Sequence, residues 1–247
     1  MYTPTTLIPT LISRIGRSRL IRGIGLLVIP ALWLLPATAP AQTDSMPRRE
    51  REILHRAQKH LNNNDTDKCL SVLQKYQGNH GEPESALFYL FLGNARYSRQ
   101  DYSQAEKAYS QGVQKDPEHP TLLRNLASVC MQNGDALNAG QYYRRAFKAK
   151  KKPEPELLYR AGTAFYRAEA FDRALSALND LFARAEEIQP AWADLMVYTC
   201  LESGKWARAT DVLDRLLEKH PEQRRYWRLL AQVRLKREEY RKAACAL

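Results

Sequence analysis

The sequence predicts an all-α protein, an α-solenoid of stacked helical hairpins, and three observations predict it. Small and aromatic residues return at a period of about 34 residues: Gly93, Ala105 and Tyr109 are echoed by Ala127, Ala139 and Tyr143, then by Gly162, Ala174 and Leu178. Apolar residues inside each unit follow three-to-four spacing, and the β-branched alternation of strands is missing. Prolines at 117, 153, 155, 190 and 221 punctuate the chain near the ends of the units. At 247 residues, 44% hydrophobic and 26% charged, the chain has the composition of an ordinary globular protein and the length to bury a core.

The first 41 residues read differently from the rest. They carry Arg14, Arg17, Arg19 and Arg22 and no acid, then an apolar run from Ile24 to Leu35, then Ala39-Pro40-Ala41. A basic region, a short apolar run and a small-residue site make a secretory signal peptide, with cleavage expected before Gln42. The run is too short for the roughly 20 residues that span a bilayer, and Pro30 interrupts it. An uncleaved anchor, extended by Leu20 and Ile21, is the alternative. Either way the rest of the chain is expected outside the cytoplasm, in the periplasm or anchored to the inner membrane facing it. Residues 42–49 form a polar linker.

The array is expected over 50–247, in units near 50–85, 86–119, 120–154, 155–189, 190–223 and an incomplete 224–247, about five and a half repeats. The first is degenerate: Ile53, Ala57 and Leu61 start it, Asn62–Asp65 turn it, Cys69 takes the slot held elsewhere by Ala, and Gly78–Pro83 breaks the chain. The second is the clearest, with Leu92-Gly93, Tyr97, Ala105, Tyr109 and Pro117. Gly93 and Ala105 let two antiparallel helices approach, and the larger residues fill the space around them. The third keeps Leu126-Ala127, Gly134-Asp135, Ala139 and Tyr143 but replaces the closing Pro with Lys148–Lys152. The fourth has Ala161-Gly162, Phe165, Phe171, Ala174 and Leu178; the fifth has Met196, Cys200, Gly204, Trp206, Ala209 and Leu213. The sixth opens with Trp227 and Leu230-Ala231, and Leu247 falls partway along a second helix, so the chain reads as a fragment or as completed by another molecule.

Leu-Gly, a later Ala, an aromatic and a closing Pro at this period resemble the tetratricopeptide repeat. The resemblance spans nearly all of 50–247 and implies a non-enzymatic scaffold that binds a protein or peptide along the first helices of its hairpins. Those helices would present Asn94 and Tyr97, Arg124 and Asn125, Arg160 and Tyr166, Tyr198, and Arg228 to the partner, with Leu90, Ser128, Tyr159, Thr163, Asp194, Leu201, Gln232 and Leu235 beside them. Each ring serves either this groove or the packing between repeats. Asn94, Asn125 and Arg160 also match three positions of the family's carboxylate clamp, but Leu90 and Glu156 stand where its lysines belong. A narrower likeness, carried by Glu154–Gly162, Tyr226–Gln232 and Tyr240–Ala244, is to the repeat proteins of bacterial TonB systems that accompany ExbB and ExbD. It implies an envelope transport complex as partner.

The residues themselves point away from catalysis. There is no Gly-rich phosphate loop, Cys-x-x-Cys pair, His-Glu-x-x-His site or Gly-x-Ser-x-Gly elbow, and the five histidines are scattered among surface and loop positions. No cofactor or metal is expected. Cys69, Cys130, Cys200 and Cys245 fall in different repeats, too far apart for the roughly 6 Å Cα separation of a disulfide, and read as buried thiols. From Arg224 onward eight basic residues face two acidic ones. That strip suits an acidic partner or anionic lipid, or a solvated helix face; with export and no nucleic-acid motif, nucleic acid is not expected. The alternative function is a glycan-binding accessory of a cell-wall or polysaccharide enzyme, which stacked exposed rings with carboxylates would favour.

Overall fold

A computed structural model describes residues 46–152 and 154–236; the leader, Tyr240, Ala243 and Cys245 lie outside the described residues. Within them the secondary structure is eleven α-helices. They pair as hairpins: α1 (Arg48–Asn62) with α2 (Thr66–His80), α3 (Ala86–Ser98) with α4 (Tyr102–Lys115), and α5 (Pro120–Gln132) with α6 (Ala136–Ala149). Then come α7 (Pro155–Arg167) with α8 (Phe171–Phe182), α9 (Pro190–Glu202) with α10 (Trp206–Lys219), and α11 (Arg224–Lys236). Each hairpin packs on the next, which is the solenoid architecture that the period implies.

The core is built from the repeated slots. Cys69, Ala105, Ala139, Ala174 and Ala209 occupy one slot in five successive hairpins, and every one is fully buried. Their small side chains set how closely the two helices of a hairpin approach. Gly93 does the same from the facing helix: a Cβ there would lie 2.4 Å from the Tyr109 ring. Gly140, which the period did not single out, is equally tight, because Phe165 of the next hairpin lies 2.6 Å from where its Cβ would be.

The turn inside each hairpin needs one residue in the left-handed region, at a fixed place. It is Asn64, Gln100, Gly134, Glu169 and Gly204, with φ of 58°, 63°, 85°, 55° and 70°. Only glycine adopts that conformation freely, so Gln100 and Glu169 are held there by the close packing of the helices on either side. The next residue is the N-cap of the second helix. Asp101 and Asp135 accept from the backbone N–H of Gln104 and Asn138, at 3.3 and 3.1 Å, the usual way of satisfying an orphan donor.

Between hairpins the first helices begin on Pro120, Pro155 and Pro190, where the missing N–H costs nothing. Three details depart from the sequence reading. The first helix starts at Arg48, so the last two residues of the expected linker are helical and Glu50 lies in the first turn. The helix α2 runs through Gly78, an open position, and ends at Gly81, whose φ of 78° reverses the chain. His119 is not a solvated loop histidine but the half-buried N-cap of α5, its Nδ1 accepting from Leu122 N–H at 3.3 Å. Burial pushes its imidazolium pKa down, in keeping with a neutral ring that accepts at Nδ1.

Polar ties join neighbouring repeats. Glu50 is buried, and its two oxygens accept from Glu84 and Ser85 N–H at 3.2 and 3.0 Å, which fixes the first hairpin to the entrance of the second. Further ion pairs follow along the chain, the second of them half-buried: Arg99 to Asp67 at 3.1 Å, Arg144 to Asp180 at 2.9 Å and Lys205 to Asp172 at 2.5 Å.

Candidate functional site

The first helices α3, α5, α7, α9 and α11 carry the expected partner-facing residues, and the structure sorts them into three groups. In the first, Asn94 on α3 gathers two donors on one oxygen: its Oδ1 accepts from Tyr109 hydroxyl at 2.8 Å and from Asn125 Nδ2 at 3.0 Å. One amide thus ties α3, α4 and α5 together. Tyr109 is buried, which pushes its phenol well above its usual range, while Arg124 is near enough to pull the other way. Arg124 itself is half-buried and Ser128, one turn on, shares a 3.0 Å hydrogen bond with the Tyr143 hydroxyl.

The second group is Arg160 with its own helix. Arg160 Nε donates to Glu156 Oε1 at 3.2 Å, so the residue at one expected lysine position neutralises the arginine in place of assisting it. That pairing explains in physical terms why the clamp-like spacing does not assemble a clamp.

The third group is aromatic. Tyr97, Tyr159, Tyr166 and Tyr198 are each half-buried. Tyr97 packs edge-on against Tyr102 at 5.2 Å and Tyr166 against Phe171 at 5.8 Å, both on the second helix of the same hairpin. Tyr159 meets Trp192 of the next hairpin at 6.3 Å. Three of the four rings therefore serve packing while staying partly open to solvent. The Tyr166 phenol is pushed up to about 12, first by burial, then by the Glu202 carboxylate and Tyr198.

Other expected positions are differently placed. Leu90 is a core residue, 1% exposed, and offers no surface. Thr163 is buried and donates to Tyr159 carbonyl at 3.0 Å. Arg228 is exposed on α11. Asp194 is buried and ion-paired to Arg225. Sequence reasoning missed that burial, because an aspartate on the partner-facing side of a helix reads as solvated.

Chemistry is muted across the described residues. Burial pushes the thiols of Cys69 and Cys130 up to about 11 and about 12, and that of Cys200 up as well, which leaves them as poor nucleophiles. No group of three or more His, Cys, Asp or Glu there is arranged to hold a metal ion. Two open clefts lie beside the turns within the hairpins. One of about 400 Å³ is lined by Leu70, Gln74, Arg96, Arg99, Asp101 and Gln104, and one of about 510 Å³ by residues 169–173 with Ser203 and Lys205. No described helix is long and apolar enough to cross a membrane.

Comparison with known proteins gives the same picture. Two family models, both described as tetratricopeptide repeat, match residues 92–153 and 166–233, together more than half of the chain. Among solved structures, a tetratricopeptide repeat protein from Parabacteroides merdae superposes with a TM-score of 0.55 at 14% identity, covering 79% of this chain and 76% of that one. The C-terminal part of a repeat protein from Cytophaga hutchinsonii gives 0.55 at 16%, covering 75% and 72%. YrrB, described as a TPR protein with an unusual peptide-binding site, gives 0.53 at 18%, covering 70% and 88%. Among curated sequences, "Probable biofilm formation methyltransferase WspC" of Pseudomonas putida is 28% identical over 116 residues, 44% of this chain, which spans about a quarter, 27%, of that protein.

Proposed function

The chain belongs to the tetratricopeptide repeat family, and from that premise we propose that it is a non-enzymatic scaffold of the bacterial envelope which holds a segment of a partner protein along its first helices. One observation carries the reading: half-open tyrosines stand on the first helices, Tyr97 on α3, Tyr159 and Tyr166 on α7 and Tyr198 on α9, with the half-buried Arg124 on α5 and the exposed Arg228 on α11. Rings supply contact area at low entropic cost and amides or guanidinium groups supply direction, which is what an extended peptide needs. The envelope location rests on the leader at 1–41, and the TonB-type transport complex as partner rests on the narrower sequence likeness. The activity in the name of the methyltransferase relative is not carried over, since the match spans 27% of that protein.

A photocrosslinking amino acid placed in the full chain at Tyr166 or Tyr198, and for control at the exposed second-helix positions Lys107 and Gln141, tests this in cells. Discrete partner adducts are expected from the tyrosine positions alone. Equal adducts from both sets, or adducts from the controls alone, reject the groove. Adducts whose mass and sequence identify ExbB, ExbD or a TonB-like protein extend the reading to the transport complex; a different envelope protein removes that part and leaves the scaffold.

A further inference from the structure

The helix α1 packs one side against α2 and α3 and exposes the other. Helical spacing gathers on the exposed side Arg48, Arg49, Arg51, Arg56 and Lys59 against one acid, Glu52. Glu52 is paired with Arg48 at 3.1 Å, and the other acid of the helix, Glu50, is turned inward onto Glu84 and Ser85 N–H. Arg49, Arg56 and Lys59 form no ion pair among the described residues. The excess stops at this helix: on α2 the exposed cations Lys68 and Lys75 stand beside the exposed Asp67, and Lys68 pairs with Asp65. The end of a repeat array needs a polar outer face, which mixed charges supply equally well. Five cations to one acid over about 17 Å of helix is more than solubility requires.

We infer that the exposed face of α1 rests on an anionic bilayer surface and takes the phosphates of acidic phospholipid headgroups. Charge complementarity carries it, since each Lys or Arg near such a surface adds about fivefold to binding. The face exposes no Phe, Tyr, Trp or aliphatic side chain to anchor a protein interface. Mobile headgroups need no such anchor, because they move to meet cations at any spacing. Nor does the helix insert: its apolar residues Leu54 and Ala57 are buried in the core, so the contact is at headgroup level. The sequence keeps the face near a membrane whenever the leader is in one. Twelve residues, 36–47, separate the apolar run ending at Leu35 from Arg48, a reach of at most about 40 Å. Contact by charge alone is weak and salt-sensitive, so the two segments act together, the run holding the chain near the bilayer and α1 orienting the first hairpin on it. This goes beyond the groove reading and does not depend on it.

Flotation of the full chain with vesicles of phosphatidylcholine, alone or with an equal part of phosphatidylglycerol, tests it. The readout is the ratio of binding to the two vesicles, which removes the part owed to the apolar run; the leader arginines are common to every variant. The triple variant Arg49→Gln, Arg56→Gln, Lys59→Gln should lower that ratio by about a hundredfold, three charges at about fivefold each. Raised salt should lower it too. The control Lys107→Gln, Lys148→Gln, Lys151→Gln removes the same charge from exposed positions elsewhere and should leave the ratio nearly unchanged. A ratio unchanged in the α1 variant, an equal fall in both variants, or no preference for phosphatidylglycerol overturns the inference. Polyglutamate bound in the same α1-dependent way, with vesicles unbound, overturns it in favour of an acidic protein. Arg56→Gln alone, expected to lower the ratio by about fivefold, keeps the test decisive where the triple variant does not fold. None of these outcomes touches the tyrosine crosslinks, so the groove reading stands or falls separately.

Discussion

The hairpins of 86–149 and those of 155–219 are built on the same buried slots and finished in different ways. In the first pair the turns are closed by Asp101 and Asp135, and the link between hairpins is closed by His119. In the second pair Ala170 and Lys205 stand at the capping place with no side-chain capping bond, and the stretch 183–189 between hairpins is irregular. The first helices diverge as well: Asn94 and Asn125 with Arg124 in one pair, Asp194, Tyr198 and Glu202 in the other. The contrast teaches that stacking depends on a few small residues, while turns and partner-facing positions vary around them.

The largest effect expected is at those small residues. Gly93→Ala puts a methyl carbon 2.4–2.8 Å from three Tyr109 ring atoms, whereas Gly162→Ala meets the more yielding Leu178 at 2.9 Å and beyond. Gly93→Ala should cost about 1–3 kcal/mol in urea unfolding and Gly162→Ala less. Equal costs would show that the two halves are packed alike and remove the distinction.

Capping comes next. Asp101→Ala and Asp135→Ala should each lose about 1 kcal/mol, and Ala170→Asp should gain a similar amount. The gain is credible on geometry: Ala170 has φ −83° and ψ 60°, close to the −82° and 69° of Asp101, so a carboxylate there is aimed at Arg173 N–H. Thermal unfolding of the three variants settles whether the second half is merely uncapped or is held by something else.

A pH dependence separates the halves further. The folded pKa of His119 lies below the ordinary 6.5, so between the two values the unfolded chain binds the extra proton. The contribution of this cap is therefore complete above pH 6.5 and is lost as the pH falls from there through the folded value. The urea midpoint should drop across that window, and His119→Asn, which caps without titrating, should abolish the His119 part of the slope. A slope identical in both proteins would assign it to other groups. The smallest effect is at the strained turn: Glu169→Gly should gain a few tenths of a kcal/mol, to about 1, as relief of left-handed strain outweighs glycine's entropy.

How much of this was legible depended on whether a residue repeats. Ala105, Ala139, Ala174 and Ala209, with Cys69 in the same slot, could be read from the period because a packing slot recurs whenever a hairpin does. The left-handed turn was legible at Gly134 and Gly204 and hidden at Gln100 and Glu169, where tertiary packing holds a residue that its own preference would not place there. Glu50 was hidden too, since its partners are backbone N–H groups 34 and 35 residues away, which leave no mark on side-chain pattern. At the candidate site, the register of Tyr166 and Tyr198 was legible. The neutralisation of Arg160 by Glu156 and the burial of Asp194 needed coordinates, because each depends on which rotamer its neighbours allow.

The ion pairs between repeats, Arg99 to Asp67, Arg144 to Asp180 and Lys205 to Asp172, have a mechanical consequence. Each contributes little to stability, yet each joins two hairpins through side chains outside their shared core. They act as stays on a spring. Salt that loosens them should soften the angle between neighbouring hairpins well before it unfolds any of them, so the array would be pliant or stiff according to its ionic surroundings while its core stays the same.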